Sequence, residues 1–472
     1  MKGAVESPMS KPISPSGYQL TKHPIASLRE LMTLSLPLIL SLFSASFMGF
    51  CDRLFLAHFS LDAFEGCVIG SALASIFQHS CIRITTMAQV FVGLYMGANQ
   101  KQEIGKTVWQ MIWFSLISML ITIPIGMTFG PLYFKNTPVA EAGSIYFSVL
   151  NFGNFLFPLA TALCSYYIGR GKMRIVFTCT VLANLLNIGL DYLMIFGIPG
   201  ILPSLGILGA SLATIFSQAV FCVVLFIFFL RKKERDQFGT GNFAFQWQPF
   251  WQQTRLGLFR AAARIIILAD WVAITHIVSM KGEDYLLVLS VGSTLILLFT
   301  FINDGMCQGM ITMASNLMGA GMWKYLRKMV TSSFLFLIGA TLLLSIPYFI
   351  SPDSVIALFN KTPLTPQKIT MLKSAFIGLW LYFLGYGFNA IGLSLITAAR
   401  DIKFYLMAVS FVWLTSFTPI YVGMNFFNWP SESLWYVMAF DSFAIGLILF
   451  LRVKRKWLGH SSVEEEELSL NP

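Results

Sequence analysis

Twelve apolar stretches, each long enough to cross the hydrocarbon core of a bilayer as a helix, constrain this 472-residue chain more than any other feature. No water is available in the bilayer core to satisfy open backbone groups, so a spanning segment there must be helical unless it belongs to a closed barrel. Only 11% of the residues are charged, against about 25% in a typical soluble domain. The sequence therefore predicts an all-α polytopic membrane protein with twelve transmembrane helices. The stretches lie near residues 31–51, 67–95, 107–131, 144–168, 175–197, 207–230, 256–280, 285–317, 329–350, 370–396, 404–425 and 433–451.

Basic residues are distributed unevenly between the segments that connect these stretches. With the N-terminus placed in the cytoplasm, 22 lysines and arginines fall in the predicted inside segments and 5 in the outside segments. Cytoplasmic loops carry an excess of Lys and Arg, so this asymmetry predicts that both termini are cytoplasmic. It also accounts for the net charge of +10 without a nucleic-acid partner. We expect a multi-pass protein of the plasma membrane, specifically of a bacterial inner membrane.

A polar, charged segment in the middle of the chain separates six apolar stretches from the other six. This even division predicts two six-helix halves, with a flexible cytosolic arm before the first and a basic, then acidic, cytosolic tail after the second. The predicted boundaries are 1–30 for the arm, 31–230 for the N-terminal half, 231–253 for the linker, 254–451 for the C-terminal half and 452–472 for the tail.

The two predicted halves share a local pattern. Residues Met96–Asn99 (Met-Gly-Ala-Asn) follow the second stretch, and residues Met318–Gly321 (Met-Gly-Ala-Gly) follow the eighth, 222 positions later. Because each half has an even number of spans, both halves enter the membrane in the same direction. Parallel repeats of this kind are typical of secondary transporters, whose substrate site lies between the halves near the midplane. The repeat therefore predicts a pseudo-symmetric transporter.

An amide and a carboxylic acid interrupt the fifth apolar stretch, at Asn187 and Asp191. Residues four apart lie on one helix face, one turn from each other. A charged side chain at the bilayer centre costs roughly 2.5–3.5 kcal/mol, so this pair predicts a functional site within the membrane. The alternative is structural, because polar side chains in membrane helices also hydrogen-bond to neighbouring helices.

Several motifs, in this order along the chain, resemble those of the multidrug and toxic compound extrusion (MATE) transporters. The first helix of that family resembles the stretch from Pro37 to Asp52, and its fifth-helix signature matches residues 187–197 closely. Residues 170–174 resemble its loop between helices four and five, and residues 208–214 resemble the start of its sixth helix. The resemblance implies a cation-coupled antiporter that exchanges H⁺ or Na⁺ for an organic, cationic compound by alternating access of two halves.

Carried onto matching positions, the resemblance implies a coupling site at Asp52, Asn187, Asp191 and Thr214. A dehydrated pocket penalises the anion, so Asp191 is expected to bind a proton there and release it when the site rehydrates. The same oxygens are hard ligands for Na⁺, and the sequence does not choose between the two ions. Pro37 removes one backbone hydrogen bond, so the first helix is expected to bend there.

The C-terminal half departs from the family pattern. Relatives often have a proline where this chain has Phe259, and an acid closer to that point than Asp270 is. Asp270, Arg264 and Arg83 are polar residues within predicted spans, and we expect them to line the transport cavity or to pair with other helices.

Two other functions fit parts of the sequence. A lipid-linked oligosaccharide flippase of related fold would use cavity arginines to hold a pyrophosphate. A membrane-embedded enzyme would need a catalytic cluster, and no His and acid spacing provides one. No nucleotide-binding or hydrolase motif occurs. We therefore expect a monomeric non-enzyme without cofactor or structural metal, whose partners are a small-molecule substrate and membrane lipids.

Overall fold

The computed structural model describes residues 20–357 and 364–458. Regular structure in these ranges is helical, apart from one isolated bridge between Ile198 and Leu202. The first nineteen residues of the predicted arm and the last fourteen of the predicted tail lie outside the described residues.

Eleven helices in the described ranges are long and apolar enough to cross a membrane, and a bent pair of shorter helices makes a twelfth span. The prediction of an all-α protein with twelve spans in two halves is confirmed. Two further short helices are Lys232–Phe238 and Pro352–Ala357. The spans are α1 (Leu28–Phe59), α2 (Leu61–Gly97), α3 (Gln102–Phe134), α4 (Ala140–Phe152 with Leu156–Gly169), α5 (Met173–Phe196), α6 (Gly206–Phe229), α7 (Trp247–Ser279), α8 (Glu283–Gly319), α9 (Tyr325–Ile350), α10 (Pro366–Ala398), α11 (Ile402–Phe426) and α12 (Ser433–Trp457).

The bend in α4 is 43° and has an identifiable cause. Pro158 lacks the N–H that would bond to the carbonyl of Asn154, so the helical ladder cannot run continuously through that turn. Gly153 lies at the break and packs against α6, because a Cβ there would stand 2.1 Å from Cδ1 of Ile215. The helix is therefore interrupted at the point where its backbone packs closely against α6.

Contacts divide the chain into two compact units, and the divisions fall inside α1 and α7. The N unit is Leu40–Ala261, and the C unit combines the described residues up to Ile39 with those from Ala262 onward. The residues at the start of α1 thus pack with the second half of the chain, where the Ser332 hydroxyl of α9 donates to the Ala26 carbonyl at 2.8 Å. The predicted domain boundaries stay predictions.

The same turn ends α2, α4, α8 and α10. Its left-handed residues are Asn99, Gly171, Gly321 and Arg400, with φ between 57° and 75°. In each turn the next amide donates to a carbonyl five residues back, at 2.8–3.0 Å, and so satisfies a free carbonyl at the helix end. Two of these turns lie in each half, so the predicted repeat is visible in the backbone where side chains have diverged.

The segment between α6 and α7 is packed onto the N unit. Trp109 Nε1 donates to the Thr240 carbonyl at 2.7 Å, and Trp113 Nε1 donates to the Phe243 carbonyl at 2.9 Å. Gln110 binds the same stretch twice, by donating to Ala244 and by accepting from a backbone amide. Three side chains of α3 therefore satisfy backbone groups that would otherwise need water.

Candidate cation-coupling site

Two polar side chains of α5 are completely buried in the N unit. Asn187 and Asp191 each have 0% exposure and lie one turn apart, as their spacing predicts. Asp52, near the end of α1, is 6% exposed. One turn before Asn187, the amide of Asn184 donates to the Ser44 hydroxyl at 2.9 Å. This second polar contact fixes α5 against α1 beside the acids.

Asn187 lies between the two acids. With its amide oriented to satisfy its neighbours, Nδ2 donates to Asp52 Oδ1 at 3.2 Å and to Asp191 Oδ2 at 3.1 Å. Its oxygen accepts from the backbone N–H of Thr214 at 3.3 Å. The amide therefore presents hydrogens to both carboxyl groups.

The carboxyl groups of Asp52 and Asp191 also lie close enough to interact directly. Ionised carboxylates only accept hydrogen bonds, so a hydrogen bond between these two groups would need a proton on one of them. The Oδ1 atom of Asp191 is buried and has no hydrogen-bond partner within the described chain. The pair is thus arranged to hold one proton and to repel if both groups ionise.

Thr214 lies in α6 and Pro37 in α1. The Thr214 hydroxyl donates to the Ala210 carbonyl at 3.0 Å, so this residue meets the site through its backbone. Pro37 lies inside α1, two residues before the division between the two units. Its bending role stays a prediction.

Tyr146 and Cys67 also lie beside the two acids, and neither is predicted from the sequence. Tyr146 and Cys67 hydrogen-bond to one another, and both interact electrostatically with Asp52 and Asp191. They are 4% and 2% exposed. No motif marks them, and the one available signal is that a buried tyrosine hydroxyl needs a polar partner.

The three further candidates do not lie in one unit. Arg83 belongs to α2 in the N unit, whereas Asp270 and Arg264 belong to the part of α7 in the C unit. Asp270 is 2% exposed, and Arg264 is exposed. Their cavity-lining role stays a prediction. Within the described ranges, no cluster of three or more His, Cys, Asp or Glu residues is arranged to hold a metal ion.

Close packing of α5 on α6 next to Asp191 gives a testable consequence. A Cβ at Gly209 would stand 2.4 Å from the Met194 carbonyl oxygen, whereas a Cβ at Gly189 would meet nothing within 4 Å. We expect Gly209→Ala to destabilise the protein by about 1–3 kcal/mol through overpacking. Gly189→Ala is the matched control and should be neutral or slightly stabilising. Thermal unfolding of both variants in detergent measures the difference, and equal midpoints would contradict the predicted contact.

Comparison with known families places a MatE family model on residues 37–193. This range contains Pro37, Asp52, Asn187 and Asp191, and it ends before Thr214. A protein of Thermotoga maritima described as a probable multidrug resistance protein NorM is 22% identical over 93% of this chain and 95% of its own length.

Solved structures share the fold over nearly the whole chain. A MATE transporter in complex with MaL6 matches with a TM-score of 0.81 and 15% identity, covering 92% of this chain and 97% of its own. A MOP superfamily transporter from Pyrococcus furiosus, described as having a binding pocket of reverse polarity, matches with a TM-score of 0.78 and 15% identity, over 93% and 98%.

Proposed function

Because this chain belongs to the MATE family of membrane transporters, we propose that it exports organic, cationic compounds in exchange for protons. Its two six-helix halves would alternate access to a central site. It would act as a monomer in the bacterial inner membrane with both termini in the cytoplasm. Relatives described as multidrug resistance proteins favour efflux over lipid-linked oligosaccharide flipping, and they point to a transporter and away from an enzyme.

The observation that carries this proposal is the burial of two neighbouring carboxyl groups, Asp52 and Asp191, on either side of the Asn187 amide. Neutralising one carboxyl lets the pair stay buried, whereas ionising both would force water or a cation into the site. Binding of a proton therefore stabilises the closed site and makes its opening less favourable. An exchanger needs this opposition, because proton and cationic substrate must not be bound together.

The orientation of Asn187 favours H⁺ over Na⁺ as the coupling ion. A sodium ion between the acids would seek the amide oxygen as a ligand. In the arrangement that satisfies hydrogen bonding, that oxygen faces the Thr214 N–H and the amide hydrogens face the acids. Sodium binding would require the amide to turn over and lose that contact. No cofactor enters this cycle.

The bend at Pro37 would couple the site to cavity shape. Asp52 lies fifteen residues beyond Pro37 on the same helix, so a change in its bonding can alter the tilt of the segment between them. We propose that protonation draws this segment toward α5 and that proton release lets it relax.

Gradient-driven transport in proteoliposomes tests the function. We expect an imposed H⁺ gradient to drive uptake of a fluorescent cationic dye, and an equal Na⁺ gradient at constant pH to drive none. Liposomes without protein give the background. Transport driven by Na⁺ alone would overturn the choice of ion. Dye movement that neither gradient increases would overturn the antiport proposal.

A further inference from the structure

A second buried carboxyl group lies in the C unit, away from the proposed coupling site. Asp270 is 2% exposed, and its Oδ2 accepts from the Ser416 hydroxyl at 2.7 Å. Its Oδ1 is also buried and has no hydrogen-bond partner within the described residues. A buried ionised carboxylate with one oxygen unsatisfied is costly, so this oxygen calls for a ligand.

The hydroxyl of Ser416 cannot satisfy both of its neighbours. It lies 2.7 Å from Asp270 and 2.8 Å from the Val412 carbonyl, and both of these are oxygen acceptors. A hydroxyl has one proton to donate, and helical serines commonly give it to the carbonyl one turn back. If Ser416 does so, a proton on Asp270 completes the contact, with Ser416 accepting it.

The preceding residue, Thr415, makes a similar contact with an acid on another helix. The Thr415 hydroxyl donates to Asp441 of α12, which is 6% exposed, and also lies 3.3 Å from the Val412 carbonyl. Two successive hydroxyls thus face two buried acids from different helices. Again there are more acceptors than hydrogens.

A π-helical turn, Trp413–Phe417, presents these two hydroxyls. Pro419 follows it and cannot donate to the Thr415 carbonyl, so the α-helical ladder is interrupted at this point. Such single π-turns occur often at functional sites.

The charges around this cluster are mainly acidic. Tyr382 of α10 interacts electrostatically with Arg264 of α7, Asp304 of α8 and Asp441 of α12. Tyr386 donates to Asp304 Oδ1 at 2.8 Å. These groups, with Asp270, amount to three acids and one arginine, which favours uptake of positive charge.

We propose that Asp270 and Asp441, bridged by Ser416 and Thr415, form a second proton-binding site in the C unit. A hydronium ion transfers its proton to Oδ2 of Asp270, so an O–H bond of hydronium breaks as the carboxyl O–H bond forms, and the reverse transfer returns the proton to water. The role of this site in transport rests on the proposed proton exchange, whereas its protonation does not.

Infrared difference spectroscopy of the full chain in lipid vesicles tests the site directly. The carboxylic C=O band should titrate with pH, and Asp270→Asn should remove the contribution of one carboxyl group. Ser416→Ala should shift that contribution in frequency and keep its area. Asp353→Asn, whose native side chain is 71% exposed, is the control and should change nothing in the buried band.

Three outcomes would decide the matter. An Asp270→Asn band identical to the wild type would overturn the proposal, and so would a wild-type band abolished by Na⁺ at constant pH. A band lost in Asp270→Asn and shifted in Ser416→Ala would establish the site. If proton-driven export fails while this signal persists, the proposed exchange is rejected and the proton site stands.

Discussion

Replacing Asp191 by asparagine is expected to reduce proton-driven export to the rate of liposomes without protein. The variant keeps the size of the side chain and its capacity to hydrogen-bond, but it cannot gain or lose a proton. The introduced amide can donate to Asp52, so we expect the fold to remain. The variant loses the difference in free energy between a protonated and an ionised site. Exchange of a proton for substrate requires that difference.

The readout must separate coupling from binding. Asp191→Asn should still bind dye in detergent, and that binding should lose its dependence on pH. Asp62→Asn, an exposed acid at the start of α2, is the matched control and should transport at the wild-type rate. Full export by Asp191→Asn would remove Asp191 from the mechanism.

Replacing Arg170 by methionine is expected to cost about 3 kcal/mol of stability. The Arg170 guanidinium donates to Glu234 at 2.7 Å, lies 3.6 Å from the Phe238 ring centroid, and is 7% exposed. Glu234 also accepts from the Tyr166 hydroxyl. Removing one member of a buried ion pair typically costs about 3–5 kcal/mol, and Glu234 keeps 21% exposure, which places the effect at the lower end.

Unfolding in detergent and hydrogen exchange of residues 231–246 would measure this effect. Lys106→Met breaks a partly exposed pair with Glu103 on α3 and should cost less than about 1 kcal/mol. Adding Glu234→Gln to Arg170→Met should recover part of the loss, because no charge is then left without its partner. If Arg170→Met and Lys106→Met lower the free energy of unfolding equally, the Arg170–Glu234 pair does not hold the linker against the N unit.

Hydropathy predicts the spans well because a bilayer imposes one length and one secondary structure on each of them. It does not predict the break in α4, which depends on how Pro158 and Gly153 meet a neighbouring helix. The spacing of Asn187 and Asp191 follows from helical periodicity. Their contact with Asp52 joins residues more than 130 positions apart, and family resemblance, not periodicity, pointed to it.

The remaining contacts were beyond reach of the sequence for a related reason. Thr214 meets the site through its backbone N–H, so its residue type carried no information about that contact. Asp270 bonds to Ser416, which lies 146 positions further along the chain. Ser416 belongs to a π-helical turn that no hydropathy pattern predicts. Pairings set by tertiary packing leave little trace in local composition.

The membership of the start of α1 in the C unit bears on biosynthesis. Ile39 packs against Gly305, where a Cβ would stand 2.9 Å from the Ile39 nitrogen. Ser35 packs against Gly309, where a Cβ would stand 3.3 Å from the Ser35 Cα. At roughly 5–20 residues per second, the ribosome needs about 13–50 s to make the intervening chain. Until then the first segment to enter the membrane has no native surface to pack on. Insertion and final folding of this helix are therefore separate events, and the start of α1 can pack in its native position only after α8 has been made.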